Sequence, residues 1–155
     1  MKNLNNKVAA ITGAGSGIGQ ALAINLAQQG CHLALSDIND AGLKSTLDLL
    51  KDLDITVTTQ TLDVANQQDV FNWAQQVVKD HGRVNLVFNN AGVALSGTVD
   101  SVSVEDYKWL MDINFWGVIY GTKAFLPLLE ESGEGHIVNI SSVFGLTSQP
   151  FMSAY

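Results

Sequence analysis

Five short apolar runs of the sequence each end in residues that could do chemistry. These endings are rich in Gly, Asn, Asp and Ser, which supply exposed backbone N–H groups, amides, carboxylates and hydroxyls. They are Thr12-Gly13-Ala14-Gly15-Ser16-Gly17-Ile18-Gly19, Asp37, Asp63-Val64, Asn89-Asn90-Ala91-Gly92 and Ser141-Ser142. Ligands of a parallel sheet bind outside the carboxyl ends of its strands, so we expect these endings to form one binding site.

The glycine-rich ending predicts a phosphate site. A Gly-rich turn between a strand and a helix lets a phosphate approach the backbone, where free N–H groups and the positive helix end hold its charge. Gly13, Gly17 and Gly19 are spaced as Thr-Gly-x-x-x-Gly-x-Gly, with one further Gly at position 15, which differs from G-x-G-x-x-G. An ordinary tight turn is the alternative interpretation of this segment taken alone.

If the phosphate held by the glycine turn belongs to a dinucleotide, Asp37, at the end of the second apolar run, bears on which dinucleotide it is. A carboxylate at this position is placed to accept hydrogen bonds from the adenosine ribose hydroxyls and to repel a 2′-phosphate. Neither Ser16 nor Ile38 supplies the cation that a 2′-phosphate needs. The residue therefore favours NAD over NADP, unless it only caps a turn with Asn39 and Asp40.

The elements that must position these residues follow from the period of the apolar side chains. Short β-rich runs begin near Val8, His32, Thr56, Val84 and His136. The segments between these runs have helical spacing. The alternation predicts an α/β fold with a doubly wound, mainly parallel sheet and helices on both of its faces.

Four helices are predicted to bury an apolar stripe. The stripes are Ile18, Ala21, Leu22 and Leu26; Leu43, Leu47 and Leu50; Val70, Trp73, Ala74, Val77 and Val78; and Tyr107, Leu110, Met111, Asn114 and Val118. The third has the strongest period. Ser103 with Asp106 resembles a capping pair for the fourth helix, and Pro127 is expected to interrupt or end that helix.

Composition limits the classes of function. The 155 residues contain 8 Lys or Arg and 15 Asp or Glu, a formal net charge of −7, and their number suits one domain. Without a basic cluster, nucleic acid and anionic lipid are disfavoured as partners. No run offers about 20 mostly apolar residues, so we expect no membrane span. The single Cys31 fits a cytoplasmic protein, and we expect no metal site.

The glycine motif, Asp63, the Asn89-Asn90-Ala91-Gly92 segment, Asn114, and Ser142 thirteen residues before Tyr155 share an order and approximate spacing with one enzyme family. Jointly, and over the whole length of the chain, they resemble the short-chain dehydrogenase/reductase family. The resemblance implies a Rossmann-type dinucleotide-binding domain over residues 1–155. It also implies an oxidoreductase that transfers a hydride between a nicotinamide cofactor and an alcohol or carbonyl substrate.

The resemblance assigns roles to particular residues. Three members of an Asn, Ser, Tyr and Lys tetrad map onto Asn114, Ser142 and Tyr155, with the Tyr as general acid and base. The implied cofactor-binding residues are Gly13, Ser16, Gly17, Ile18, Gly19, Asp37, Asp63, Val64, Asn90, Ala91 and Gly92. Asp63 would accept from the adenine amino group. For Asn114, which lies on an apolar stripe, a purely structural bond to the backbone is the alternative.

The chain ends at Tyr155, and the tetrad Lys is implied four residues later. We therefore expect the chain to correspond to about the first three-fifths of a family member, truncated at the active-site Tyr, and to be inactive by itself. Its fifth strand is expected to leave an uncovered edge through which chains associate. In full-length form the resemblance implies a homo-oligomer, a dimer or a tetramer.

Two classes of function stay open from the sequence. The first is an NAD-dependent dehydrogenase of a small-molecule alcohol or ketone, with an NADP-dependent carbonyl reductase as a variant that Asp37 disfavours. The second is a non-catalytic dinucleotide-binding or interaction module. The residues expected to form an apolar substrate pocket are Val93, Ala94, Leu95, Val143, Phe144, Leu146 and Phe151.

Overall fold

The structure is a computed structural model and describes residues 3–155. Five parallel strands form one sheet in the order β3-β2-β1-β4-β5. They are β1 (Val8–Thr12), β2 (His32–Asp37), β3 (Val57–Thr61), β4 (Leu86–Asn89) and β5 (His136–Asn139). The order reverses between β1 and β4, which is the doubly wound arrangement that the alternating pattern predicts.

Helices connect successive strands. They are α1 (Gly17–Gln28), α2 (Asp40–Leu50), α3 (Gln67–His81), α4 (Val104–Met111) and α5 (Gly117–Glu131). A π-helical segment, Asp112–Trp116, joins α4 to α5, and a 3₁₀ turn, Val143–Gly145, follows β5. Within residues 3–155 we find no helix that combines the length and the apolar character needed to cross a membrane.

Two apolar layers cover the opposite faces of the sheet. Because successive side chains of a strand point to opposite faces, Ala10 of β1 packs with α3 and α5, whereas Ile11 packs with α1 and α2. In the first layer the rings of Trp73 and Phe125 meet edge to face, with centroids 5.2 Å apart. The structure therefore confirms the prediction of helices on both faces.

Polar side chains begin three of the helices. Asn66 accepts from the first-turn N–H groups of α3. Ser103 accepts from the Asp106 N–H at 3.1 Å, and its hydroxyl donates to the Asp106 carboxylate at 2.7 Å. The predicted capping pair is thus confirmed. Asn39 caps α2 in the same way as Asn66 caps α3.

The buried face of α1 differs from the predicted stripe. Ile18 is 60% exposed and Ala21 is also exposed, whereas Gly19, Ala23 and Ala27 face the sheet. The helix begins at Gly17, so its first turn, which contains Ile18, stands at the edge of the sheet rather than over it. Small residues on the true inner face let the helix axis approach the sheet closely.

Two other stripe residues are also exposed, contrary to prediction. Leu47 of α2 faces solvent, and its neighbour Thr46 is buried, with a hydroxyl that donates to the Ala14 carbonyl at 2.8 Å. Met111 turns outward at the end of α4. The π-helical turn that begins at Asp112 inserts an extra residue, so the residues before and after it no longer follow one α-helical stripe.

Pro127 neither interrupts nor ends its helix, contrary to prediction. It lies inside α5, which continues to Glu131. Pro127 and Lys123 are both exposed, so water can reach the Lys123 carbonyl that loses its N–H donor. The departure from α-helical geometry comes earlier, in the segment 112–116.

Helix α5 crosses β4 in close contact at Gly121. Asn89, at the end of β4, is buried and donates from Nδ2 to the Thr122 hydroxyl at 3.2 Å and to Asn139 Oδ1 at 2.8 Å. Its Oδ1 lies against Gly121, where a Cβ would overlap it. The absence of a side chain at this position sets the separation of α5 from the sheet.

The replacement Gly121→Ala is expected to destabilise the protein by about 1–2 kcal/mol, because overpacking outweighs the better helix propensity of Ala. Urea unfolding measures the change. The double variant Asn89→Ala/Gly121→Ala makes room for the methyl group, so its loss of stability should be smaller than the sum of the single losses. Strictly additive losses would contradict a direct contact.

His81 ties the end of α3 to β3. Its Nε2 lies 2.9 Å from the Thr58 hydroxyl. Burial lowers the pKa of His81, the Asp80 carboxylate opposes this effect, and His32 adds to it. The neutral ring is therefore the form that the folded protein prefers.

We expect the protein to lose stability as pH falls through about 6.5, the ordinary pKa of His. In that range the unfolded chain binds more protons at His81 than the folded chain does, so lower pH favours unfolding. Urea unfolding at about pH 7.5 and pH 5.5 measures the effect. His81→Gln should show a smaller difference between the two pH values, and an unchanged difference would exclude His81 as its source.

Candidate functional site

A cleft of about 350 Å³, the first cleft, opens at the carboxyl ends of β1 to β4. Its lining residues are Gly13, Ser16, Gly17, Ile18, Asp37, Ile38, Leu62, Asp63, Val64, Asn90, Ala91, Gly92, Val93 and Ile113. Every predicted cofactor-binding residue except Gly19 is among them. The structure therefore brings the endings of four apolar runs together, as expected for a parallel sheet.

Gly19 lies behind the cleft rather than on its wall. It is buried, and a Cβ there would overlap the Gly13 carbonyl. Gly13 itself has a φ of +66°, and a Cβ on it would stand 2.9 Å from the Ala91 Cα. At both positions glycine is needed because two backbone segments pack directly against each other.

The first turn of α1 forms one wall of the first cleft. Ser16, the N-cap residue, has an extended backbone, and its side chain makes no capping hydrogen bond to the helix. Ser16, Gly17 and Ile18 are exposed. The N–H groups of this turn have no intrahelical acceptor, so they remain available to an anionic ligand at the positive end of the helix.

The Asp37 carboxylate lines the first cleft at the carboxyl end of β2. Its Oδ2 accepts from the Gly15 N–H at 2.8 Å, and its Oδ1 accepts from the Asn39 N–H at 2.9 Å. The side chain thus caps a turn and lines the cleft at the same time. Both interpretations of Asp37 from the sequence agree with this geometry.

Asp63 and Val64, after β3, form the floor of the first cleft. Asp63 is exposed, and its Oδ1 accepts from the Ala65 N–H at 2.9 Å. Val64 is buried and packs against Gly117, where a Cβ would come within 2.9 Å of it. Asp63 therefore keeps a free carboxylate oxygen toward the cleft, whereas Val64 supplies apolar surface.

Thr12 was not among the predicted site residues, yet it organises the junction between β1 and β4. Its Oγ1 accepts from the N–H groups of Asn90 and Ala91, both at 3.0 Å. In return, Asn90 Nδ2 donates to the carbonyls of Thr12 and Gly13, at 2.8 and 3.2 Å. The sequence feature that could have identified Thr12 is its position, since it is a hydroxyl residue at the end of an otherwise apolar strand.

A second cleft of about 590 Å³ adjoins the first. It is lined by Ile18, Asn90, Ala91, Gly92, Val93, Ala94, Asn114, Val118, Asn139, Ile140, Ser141, Ser142, Gly145 and Tyr155. Asn114, Ser142 and Tyr155 therefore share one cleft. The segment 90–93 lines both clefts, so the two are adjacent along the edge of the sheet.

Asn114 holds the loop that follows β4. Its Oδ1 accepts from the Val93 N–H and its Nδ2 donates to the Val93 carbonyl, both at 2.8 Å. This is the structural bond to backbone that we weighed as an alternative. Asn114 lies in the π-helical segment, which gives it a position that a continuous α-helix would not.

Ser142 and Tyr155 are connected through Phe144. Ser142 caps the 3₁₀ turn by accepting from the Phe144 N–H at 3.2 Å. The Phe144 ring then meets the Tyr155 ring edge to face, with centroids 6.2 Å apart. Of the residues expected to form an apolar pocket, Val93 and Ala94 line the second cleft.

The remaining five of those residues do not line it, contrary to that expectation. Leu95 is half-buried, and Val143, Phe144, Leu146 and Phe151 are exposed. They follow the ends of β4 and β5 closely in sequence, yet they are not among the residues that line either cleft. Closeness in sequence to a strand end was therefore not enough to predict that a residue lines a cleft.

Among residues 3–155 no Lys or Arg lines either cleft, and Asp37 and Asp63 are the charged lining residues. Burial raises the pKa of the Cys31 thiol to about 11, against a smaller effect of the Ala9 backbone. Cys31 is thus an inert core residue, as predicted. Within residues 3–155 no three His, Cys, Asp or Glu side chains are grouped to hold a metal ion.

The chain is similar to a family model and to several known proteins. The family model described as short chain dehydrogenase matches residues 7–155. A Mycobacterium tuberculosis protein named as an oxidoreductase, SadH, is 50% identical over 155 residues, which are 100% of this chain and 56% of that protein. Human estradiol 17-beta-dehydrogenase 11 is 34% identical over 99% of this chain and 51% of its own length. The chain thus spans about half the length of these curated relatives.

Solved structures show the same architecture. A short-chain dehydrogenase/reductase from Burkholderia phymatum, in complex with NAD, has a TM-score of 0.96 at 39% identity and is covered over 56% of its length. NAD⁺-bound xylitol dehydrogenase has a TM-score of 0.95 at 32% identity and is covered over 60%. Both similarities extend over at least 99% of this chain. With a family model that matches all but its first residues, the chain belongs to the short-chain dehydrogenase family.

Proposed function

We propose that the protein binds NAD across the two clefts and transfers a hydride between its nicotinamide and a small-molecule alcohol or ketone. The observation that carries this proposal is the adjacency of the clefts. Asp37 lines the first cleft, Tyr155 lines the second, and the shared segment 90–93 lines both. An extended dinucleotide would bring its two ends to these two residues.

The residues present fit such a cofactor. The uncapped first turn of α1 offers N–H groups and a positive helix end to a pyrophosphate, and the open space beside Gly17, where a Cβ would meet nothing within 4 Å, permits a close approach. Asp63 offers a carboxylate oxygen to an adenine amino group. When bound, a nicotinamide supplies the hydride acceptor or donor.

Tyr155 and Ser142 are proposed to act on the substrate oxygen. In the direction of oxidation the Tyr155 phenolate accepts the proton of the substrate hydroxyl, and the Ser142 hydroxyl donates a hydrogen bond to the same oxygen. In the direction of reduction Tyr155 returns that proton. Asn114 contributes by fixing Val93, because both its amide oxygen and its amide nitrogen bond to that backbone.

The preference for NAD over NADP belongs to this proposal. The Asp37 carboxylate would accept from the ribose hydroxyls, and a 2′-phosphate beside it would meet negative charge without a Lys or Arg in the lining. The B. phymatum structure contains NAD, whereas an alcohol dehydrogenase from Thermococcus sibiricus is complexed with 5-hydroxy-NADP. A homo-oligomeric assembly and a cytoplasmic location are part of the same proposal and rest on the family resemblance and composition.

The variant Asp37→Asn tests the choice of cofactor. The amide oxygen can still accept from the Gly15 N–H, whereas the bond from the Asn39 N–H is lost, so Tm is measured beside affinity to separate the removed charge from a loosened turn. In titrations of the full-length protein with each cofactor, we expect the ratio of the Kd for NADP to the Kd for NAD to fall by about 10-fold, the equivalent of about 1.4 kcal/mol. Asp48→Asn, on the exposed face of α2, is the matched control for net charge. Equal affinities for NAD and NADP in the unmutated protein would refute the role of Asp37.

The variant Tyr155→Phe tests the chemistry. Without the hydroxyl, the proposed proton transfer to the substrate oxygen is lost, so turnover of the whole protein should fall by at least about 100-fold. The Kd for NAD should stay within about twofold, because the phenol acts on the substrate. Tyr120→Phe is the matched control, since Tyr120 stacks on Trp116 and lines neither cleft. Retained turnover in Tyr155→Phe would place the general base elsewhere.

A further inference from the structure

The loop after β4 and the segment before Tyr155 are joined outside both clefts by a short parallel bridge between Gly97 and Met152. The Gly97 N–H donates to the Phe151 carbonyl at 2.6 Å, and the Ser96 hydroxyl donates to the same oxygen at 3.2 Å. The Ser153 hydroxyl donates to the Gly97 carbonyl at 2.9 Å. We call residues 96–97 and 151–153 the strap.

The strap depends on an unusual backbone conformation at Phe151. Gln149 to Met152 form a turn closed by the Met152 N–H and the Gln149 carbonyl at 3.3 Å, with Pro150 in second place. Phe151, in third place, has a φ of +63°, where such turns ordinarily carry Gly or Asn. Its side chain is 63% exposed, so packing of the ring does not impose the conformation. The conformation is held instead by the two hydrogen bonds that the Phe151 carbonyl accepts, from the Gly97 N–H and from the Ser96 hydroxyl.

The other side of the strap is fixed by a tight turn. A Cβ at Gly97 would overlap the Val102 side chain and would stand 3.1 Å from the Ser101 hydroxyl. That hydroxyl also accepts from the Thr98 N–H at 2.9 Å. Gly97 therefore cannot shift toward Val102 when the strap bonds form.

The strap connects the two walls of the second cleft. On one wall, Val93 is held by Asn114 and leads through three residues to Gly97. On the other wall, Ser153 is followed by the buried Ala154 and then by Tyr155. A continuous series of hydrogen bonds and short chain segments thus runs from Asn114 to Tyr155.

We propose that the strap positions the Tyr155 phenol relative to Asn114 and Ser142, with Ser153 and the Phe151 carbonyl as its positioning groups. The inference rests on the proposed function, in which the phenol acts on the substrate oxygen. The strap touches neither cleft, so it contributes to the orientation of Tyr155 and not to binding of the cofactor.

Ser153→Ala in the whole protein is expected to lower kcat about 5- to 20-fold, since a small displacement of a catalytic group is costly in rate. The Kd for NAD and the KM should change less than about twofold. Ser153→Thr keeps the hydroxyl and should restore kcat. Ser148→Ala, an exposed position in the same segment, is the matched control. An unchanged kcat in Ser153→Ala, or a failure of Ser153→Thr to restore it, would overturn the proposal.

Hydrogen exchange at the Gly97 amide provides a measurement that does not need turnover. In Ser153→Ala this amide should exchange at least about fivefold faster, because the shorter of the two bonds from Ser153 to the Gly97 carbonyl, which join the two segments of the strap, is lost. Phe151→Gly should keep the protection and raise Tm, because glycine adopts a positive φ without strain. Unchanged exchange of the Gly97 amide in Ser153→Ala, or a lower Tm in Phe151→Gly, would overturn the proposal. Absence of NAD-dependent turnover in the unmutated full-length protein would instead refute the proposed function.

Discussion

The close approach of two backbone segments at the junction of β1 and β4 is the constraint on which the rest of the site depends. Between these neighbouring strands the sheet reverses its order, and the side chains of Thr12 and Asn90 supply the hydrogen bonds that continue beyond the ladder. Helix α1 must begin at the same place, so Gly13 and Gly19 cannot carry a Cβ. Because segment 90–93 lines both clefts, the junction also fixes where they meet.

Strand β4 is anchored by an amide at each end of its apolar centre. Asn85 is buried and accepts from the Val8 N–H at 3.1 Å, while its Nδ2 donates to the Glu134 carbonyl at 3.2 Å. At the opposite end Asn89 donates twice from Nδ2, to Thr122 and to Asn139, while its Oδ1 is buried against Gly121 without a hydrogen-bond donor. Breaking the hydrogen bonds of a buried amide is costly, and a shift of β4 along its axis would break several of them at once. The register of the strand that leads into both clefts is therefore strongly specified.

The sequence predicts the regular elements well because their apolar period is local information. The period of α3 places Val70, Trp73 and Val77 correctly, since large side chains face a broad apolar surface there. It fails in the first turns of α1, where the small Gly19 and Ala23 are buried and the large Ile18 is exposed, although Leu26 farther along is buried as predicted. It also fails at Pro127, because the consequence of a missing N–H depends on whether water reaches the freed carbonyl. Both failures have tertiary causes that no local pattern contains.

The candidate site was predictable as a set of strand endings but not as a geometry. Its working contacts lie at irregular backbone: the π-helical turn around Asn114, the left-handed residue Phe151, and the glycine turn at Gly13. Each of them is stabilised by partners distant in sequence, as when Asn114 binds Val93 across 21 residues. Irregular backbone persists only where such partners compensate its cost. A motif can therefore indicate which residues belong to the site, whereas the bonds that orient them become visible only when the chain is folded.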